Sequence, residues 1–291
     1  MGVTCSKENV SQDSDTKPIN MGIFDLDDDL MSLSSRINVL KDGKLADVTL
    51  SQYYEGSKSG ALVLPSEGAS RAFLEYTELA SRSLIEYLDE AIVDRQFQHG
   101  LESFKECVMS GNPFCVLSAR RQSKEVMYAA IKKLICSLLS EDELKQAFFG
   151  YSRFRKIIEI FSSGRTRKRS AVIKMELNVS TTVWLDSYLS DCLLLFLVIP
   201  DNPPSQIYGL EESCVMALEL FIRTNVARFQ GRRNIIFDIS RTYKRVADEI
   251  FDVICAEHSN VKFQVMQGGT VPSLFKILKD TDFSKPVPKR D

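Results

Sequence analysis

Short apolar runs that stop abruptly at polar residues recur along this chain, and stretches of helical period separate them. The first run is Lys17-Pro-Ile-Asn-Met-Gly-Ile-Phe24, ending at acidic residues. Later ones are Phe114-Cys-Val-Leu117, Cys192 to Ile199, Asn234-Ile-Ile-Phe237 and Val261 to Met266. Between them lie Ser70 to Asp94, Leu101 to Met109, Ser123 to Leu139, Glu211 to Phe229 and a segment running through Val253. In Ser123 to Leu139 the apolar Val126, Met127, Ala130, Ile131, Leu134 and Ile135 share one side, the mark of an amphipathic helix. Strands alternating with helices predict an α/β fold with a mainly parallel sheet. The expected class is a three-layer sandwich with a Rossmann-like sheet and helical cap-like insertions.

At 291 residues the chain suits one principal domain. We place it over residues 18–280, with insertions around 41–100 and 140–190, a leading segment 1–17 and a polar tail 281–291. Turn signals crowd 41–69, which suits a hairpin or an irregular flap. Ala171 to Leu177 reads as a candidate strand and Leu274 to Leu278 as a short last helix. The run Cys192 to Ile199 is far too short to span a bilayer and reads as a buried central strand.

A formal net charge of -2 leaves no global basic field to attract nucleic acid. Seven cysteines at wide spacings, no CxxC pair and two histidines, His99 and His258, exclude a zinc ribbon or finger and argue against a disulfide framework. Buried thiols in a reducing, cytoplasmic compartment follow, and the sequons at Asn9 and Asn178 are then chance matches.

Met1-Gly2-Val3-Thr4-Cys5-Ser6 matches the pattern for N-myristoylation on Gly2, and Cys5 is placed for a second acyl chain. One myristoyl chain holds a protein only marginally, with a partition constant of about 10⁴ M⁻¹, whereas two anchor it stably. Contact with the inner leaflet of a membrane is the partner this implies. Residues 7–17 would be a solvated spacer.

Three strand ends carry the candidate chemistry: Ile23-Phe-Asp25-Leu-Asp27, Val116-Leu-Ser118-Ala-Arg120 and Ile235-Ile-Phe-Asp238. Ligands of open parallel sheets bind at the carboxyl ends of the strands. Taken in this order the three runs resemble the haloacid-dehalogenase superfamily of phosphotransferases. Within it, the Val116 to Arg121 run and the late Ile235 to Val246 run are similar to the Swiss Army Knife RNA repair-like proteins. The resemblance implies a Mg²⁺-dependent phosphatase or phosphotransferase acting on a phosphorylated substrate. Asp25 would be the nucleophile that forms an aspartyl-phosphate, and Asp27 the acid and base. Asp25, Asp238 and the backbone carbonyl of Asp27 would hold Mg²⁺, and Ser118 would bind a phosphoryl oxygen. The family lysine falls first on Lys174, then on Lys156.

This chain departs from the family in two places. Asp29 stands where Thr or Val is usual, adding a carboxylate that repels phosphate, and Ile239 replaces a second acid in the closing run. These departures open a second reading, a non-catalytic, membrane-tethered scaffold or regulatory protein on a degenerate copy of the fold. A third is an RNA-end processing module using the basic cluster Arg165, Arg167, Lys168 and Arg169; that cluster could equally be a solvated face or touch anionic lipid. A calcium loop built on Asp25, Asp27 and Asp29 fails, because Leu30 and Arg36 stand where glycine and a bidentate Glu are needed.

Overall fold

The computed structural model describes residues 17–27, 29–65, 69–96, 98–162, 182–196, 207–229 and 233–266. The Ala171 to Leu177 strand and the Leu274 to Leu278 helix expected above lie outside these residues. In chain order the elements begin with β1 (Ile19–Asp25), β2 (Ile37–Lys41), β3 (Lys44–Val48), α1 (Leu50–Ser59), β4 (Leu62–Val63), α2 (Ala69–Ala72) and α3 (Leu84–Val93). Then come α4 (Gly100–Ser110), β5 (Cys115–Ser118), α5 (Lys124–Leu138), α6 (Glu141–Ser162), α7 (Thr182–Asp191) and β6 (Leu193–Phe196). The last are α8 (Ile207–Phe229), β7 (Ile235–Ile239), α9 (Lys244–Glu257) and β8 (Val261–Val265).

The main sheet has five strands in the order β6-β5-β1-β7-β8, and every pairing is parallel. The chain starts in the middle at β1, builds outward to β5 and β6, then crosses back to add β7 and β8 on the other side. Helices cover both faces. Phe24 of β1 meets Phe104 of α4 edge-on at 5.3 Å on one face, and Phe237 of β7 meets Phe221 of α8 at 6.1 Å on the other. This is an α/β fold with a parallel sheet flanked by helices, compatible with a three-layer sandwich. β6 forms the edge of the described sheet, where a central strand was expected, and α5 and α7 both contact it.

One glycine fixes how two helices meet. Gly111 ends α4 with a positive φ of 68°, and a Cβ there would fall 1.9 Å from the Tyr151 amide nitrogen of α6. Only a residue without a side chain lets the end of α4 abut α6.

Residues 37–93 form an insertion between β1 and α4. β2 and β3 pair antiparallel around Asp42-Gly43, both at positive φ, the backbone that a two-residue hairpin turn demands. β4 joins β2 to make a separate three-stranded sheet. The hairpin begins at Ile37, ahead of the turn-rich stretch, and much of that stretch is the helix α1. Thr49 and Gln52 exchange hydrogen bonds across its first turn, and Gly60 closes it in the left-handed conformation.

Candidate functional site

Starting from the centre of a sheet and building to both sides creates a crevice at the carboxyl ends of the inner strands. Asp25 ends β1 there, in register with Leu117 of β5. Beyond it the chain makes one tight loop: the Leu30 amide donates to the Asp25 carbonyl and the Met31 amide to the Leu26 carbonyl. The Leu26 amide donates to the Leu117 carbonyl, so the loop stays on the sheet. Asp27 and Ser118, at the ends of adjacent strands, come together: Ser118 Oγ donates to Asp27 Oδ2 at 3.1 Å.

The dominant group in this crevice is Arg120, fully buried. Its Nε donates to both Asp27 oxygens, at 3.0 and 3.1 Å, and its Nη2 to Asp27 Oδ1 at 2.7 Å. Nη2 also donates to Ser35 Oγ at 2.9 Å, and Nη1 reaches the Glu75 carbonyl. The guanidinium lies 4.6 Å from the centre of the Tyr76 ring, within cation–π range. Burial acts to lower the Arg120 pKa, but the Asp27 charge and its hydrogen bonds outweigh burial and hold it above the usual value. Burial, helped by the Glu75 side chain, pushes the Tyr87 phenol up to about 12. Around the guanidinium the backbone is stitched as well. The Arg121 amide donates to the Tyr76 carbonyl and the Glu78 amide to the Arg121 carbonyl. One side chain thus ties the loop after β1, the insertion and the end of β5 into a single closed unit.

Asp29 sits on the other side of Asp25. Its carboxylate accepts from the Asp25 amide at 3.3 Å and from the Ser240 hydroxyl, and the Gly100 amide at the head of α4 donates to its carbonyl. A Cβ on Gly100 would come within 3.0 Å of the Asp29 carboxylate, so the helix start is pressed against it. Burial raises the Asp29 pKa, and the hydrogen bonds and nearby His99 only partly offset that. Tyr243, just before α9, is fully buried close enough to Asp25 to feel its charge; burial first, and then that charge, hold its phenol well above the usual range.

Of the residues expected to act, Asp27 and Ser118 touch, and Asp25 ends the neighbouring strand β1 beside Asp29 and Tyr243. Asp238 does not join them. It pairs with Gly22, three residues before Asp25, which is about 10 Å along a strand. It also looks toward the opposite face, where Glu106 and Cys107 of α4 feel its charge and Gln264 hydrogen-bonds it. β7 runs on to Ile239, and the residue it delivers to the crevice is Ser240, whose amide donates to the Ile23 carbonyl. Lys156 is exposed on α6, while Lys174, Gly2, Cys5 and the Arg165 to Arg169 cluster lie outside the described residues. Among the described residues, no three His, Cys, Asp or Glu side chains are grouped to hold a metal ion. Of the Mg²⁺ ligands the resemblance implies, Asp238 lies level with Gly22 rather than with Asp25, and the Asp27 side chain is taken up by Arg120. Arg120 and Ser240, to which the sequence reading gave no role, each stand two positions after a residue it did single out. That spacing keeps a side chain on the same face of an extended strand.

Comparison with protein-family models, with curated proteins and with solved structures finds no match for this chain. Among the described residues, no helix is long and apolar enough to cross a membrane.

Proposed function

We propose that this chain is a non-catalytic scaffold or regulatory protein built on a phosphotransferase-like α/β fold. N-terminal acylation at Gly2, aided by Cys5, would hold it at the cytosolic face of a membrane. One observation carries the non-catalytic reading: the buried guanidinium of Arg120 takes up Asp27. An acid that must deliver and recover a proton needs an oxygen open to the reacting group. Both Asp27 oxygens already accept from Arg120, and Ser118 donates to Asp27 rather than facing a phosphoryl group. Asp25 is itself only 1 % exposed, so a phosphate ester has no approach to it in this conformation. The acylation half of the reading rests on the first six residues of the sequence.

A second reading keeps some support. Asp27 and Ser118 touch, and Asp25 ends the adjacent strand β1, near where an α/β phosphatase would need these groups. Release of phosphate from a generic aryl phosphate in Mg²⁺, measured on the wild type and on Asp25→Asn, separates the two. Equal background rates support the scaffold; Mg²⁺-dependent turnover lost in the variant supports the enzyme. Gly2→Ala tests the tether, since it should move the protein from membranes to the soluble fraction.

A further inference from the structure

At the opposite end of the sheet from the acidic crevice, where β1 begins, a groove of about 830 Å³ lies between the end of α4 and the side of α6. Its size is that of sites that take small organic ligands. Ile19, Met109, Phe154 and Ile157 give it an apolar wall, buried or half-buried, and Phe149 stands at the rim with 56 % of its surface exposed. The charges around it are mainly positive. Lys17 and Arg153 are exposed, Arg233 is buried, and Lys145 is matched by Glu141 and Asp142. Apolar wall and basic rim together suit an acyl chain joined to an acidic segment.

We infer that the groove is the docking site of the chain's own N-terminal segment, with the Gly2 acyl group along the apolar wall. This inference rests on the acylation reading given above. Two features of the molecule single out that occupant. Lys17, where the segment joins the fold, itself lines the groove. Gly2 is fifteen residues upstream, and a chain spans at most about 3.3–3.6 Å per residue, so the linkage is long enough for the acyl group to reach the groove. The segment also carries Glu8, Asp13 and Asp15 against Lys7 alone, and acylation removes the positive amino terminus, so its sign complements the rim. Tethering raises the effective concentration of the acyl group at the groove to the millimolar range. A single acyl chain binds a bilayer only marginally, so groove and membrane compete on comparable terms. The acyl chain occupies one or the other, and membrane attachment is therefore switchable.

The test uses the full chain, made with and without a co-expressed N-myristoyltransferase, the acyl group being checked by intact mass. A fluorescent long-chain fatty acid is the probe. The unacylated protein should bind it one to one, and Phe149→Asp and Arg153→Glu, both at exposed positions, should weaken that binding at least tenfold. The acylated protein should bind it at least tenfold more weakly than the unacylated one, with slower amide exchange across residues 145–157. Acylated Phe149→Asp should partition onto anionic vesicles several-fold more than acylated wild type. A correct mass with probe binding and amide exchange unchanged by acylation overturns the docking and leaves the acylation reading intact. If the mass shows no acyl group, the acylation reading fails and this inference with it.

Discussion

Replacing Arg120 by Met removes a buried cation and leaves its partner Asp27 behind. Arg120 is fully buried and the Asp27 side chain is 4 % exposed, so solvent cannot take over the stranded charge. Removing one member of a buried pair costs about 3–5 kcal/mol, because the remaining charge is left uncompensated. Ser35 Oγ loses its donor as well, and the Tyr76 ring its cation. Against a total stability of about 5–15 kcal/mol for a domain, Arg120→Met should sit at the edge of folding. Removing both charges should reverse much of this, since buried pairs replaced by apolar residues of similar size are often neutral or stabilising by about 1–4 kcal/mol. Urea unfolding of the wild type, Arg120→Met, Asp27→Leu and the double variant closes the cycle. Trp184 is the only tryptophan, is buried, and lies in α7 away from the crevice, so its fluorescence reports global unfolding. The expected coupling is at least about 2 kcal/mol, with the double variant more stable than Arg120→Met. An Arg120→Met loss below about 1 kcal/mol would refute the reasoning, because that is the scale of an exposed pair. So would a double variant no better than the sum of the two singles.

Gly111→Ala should be strongly destabilising, since it adds the cost of a left-handed alanine, about 1–2 kcal/mol, to a collision with the backbone of α6; thermal unfolding by circular dichroism measures it. Asp29→Asn should stabilise the protein at neutral pH. The folded-state pKa of Asp29 is raised above its ordinary value of 3.8, so its contribution to stability falls as pH rises through that window, and the gap between variant and wild type should widen in the same direction. Glu143→Gln should show the reverse. The Lys105 ammonium, and then the Ser140 cap, bring the Glu143 pKa from 4.5 down to about 2, so the stability it gives is present above 4.5 and lost as pH falls toward 2. Acid titrations of unfolding, wild type against variant, check both signs.

The α/β class was legible because apolar runs and amphipathic stretches alternate so regularly, and β1, β5, β7, α4 and α5 lie close to where their periodicity puts them. What was not legible depends on partners distant in sequence. The run Cys192 to Ile199 is as apolar as an inner strand, yet β6 lies at the edge of the described sheet, with α5 and α7 in contact with it. Asp238 was misplaced because the strand outlasts Phe237 by two residues, so its carboxylate stops level with Gly22 and Ser240 is the residue that reaches the end of the sheet. The helix α1 was hidden by its glycine and serines, although Thr49 and Gln52 spell a capping box that a search for helix starts would have found. Arg120 stood in plain view two residues after Ser118. Its role depends on Ser35, Glu75 and Tyr76, which only the folded insertion brings to it.

On the scaffold reading proposed above, the acidic residues after β1 close the fold through a guanidinium instead of holding a metal for chemistry. A crystal structure grown with Mg²⁺ and a tetrahedral phosphate mimic addresses it most directly. Arg120 should still be seated on Asp27 and Ser35, with neither additive beside Asp25. Mg²⁺ bound to Asp25 and the Asp27 carbonyl, the mimic on Ser118 and Arg120 displaced, would contradict it.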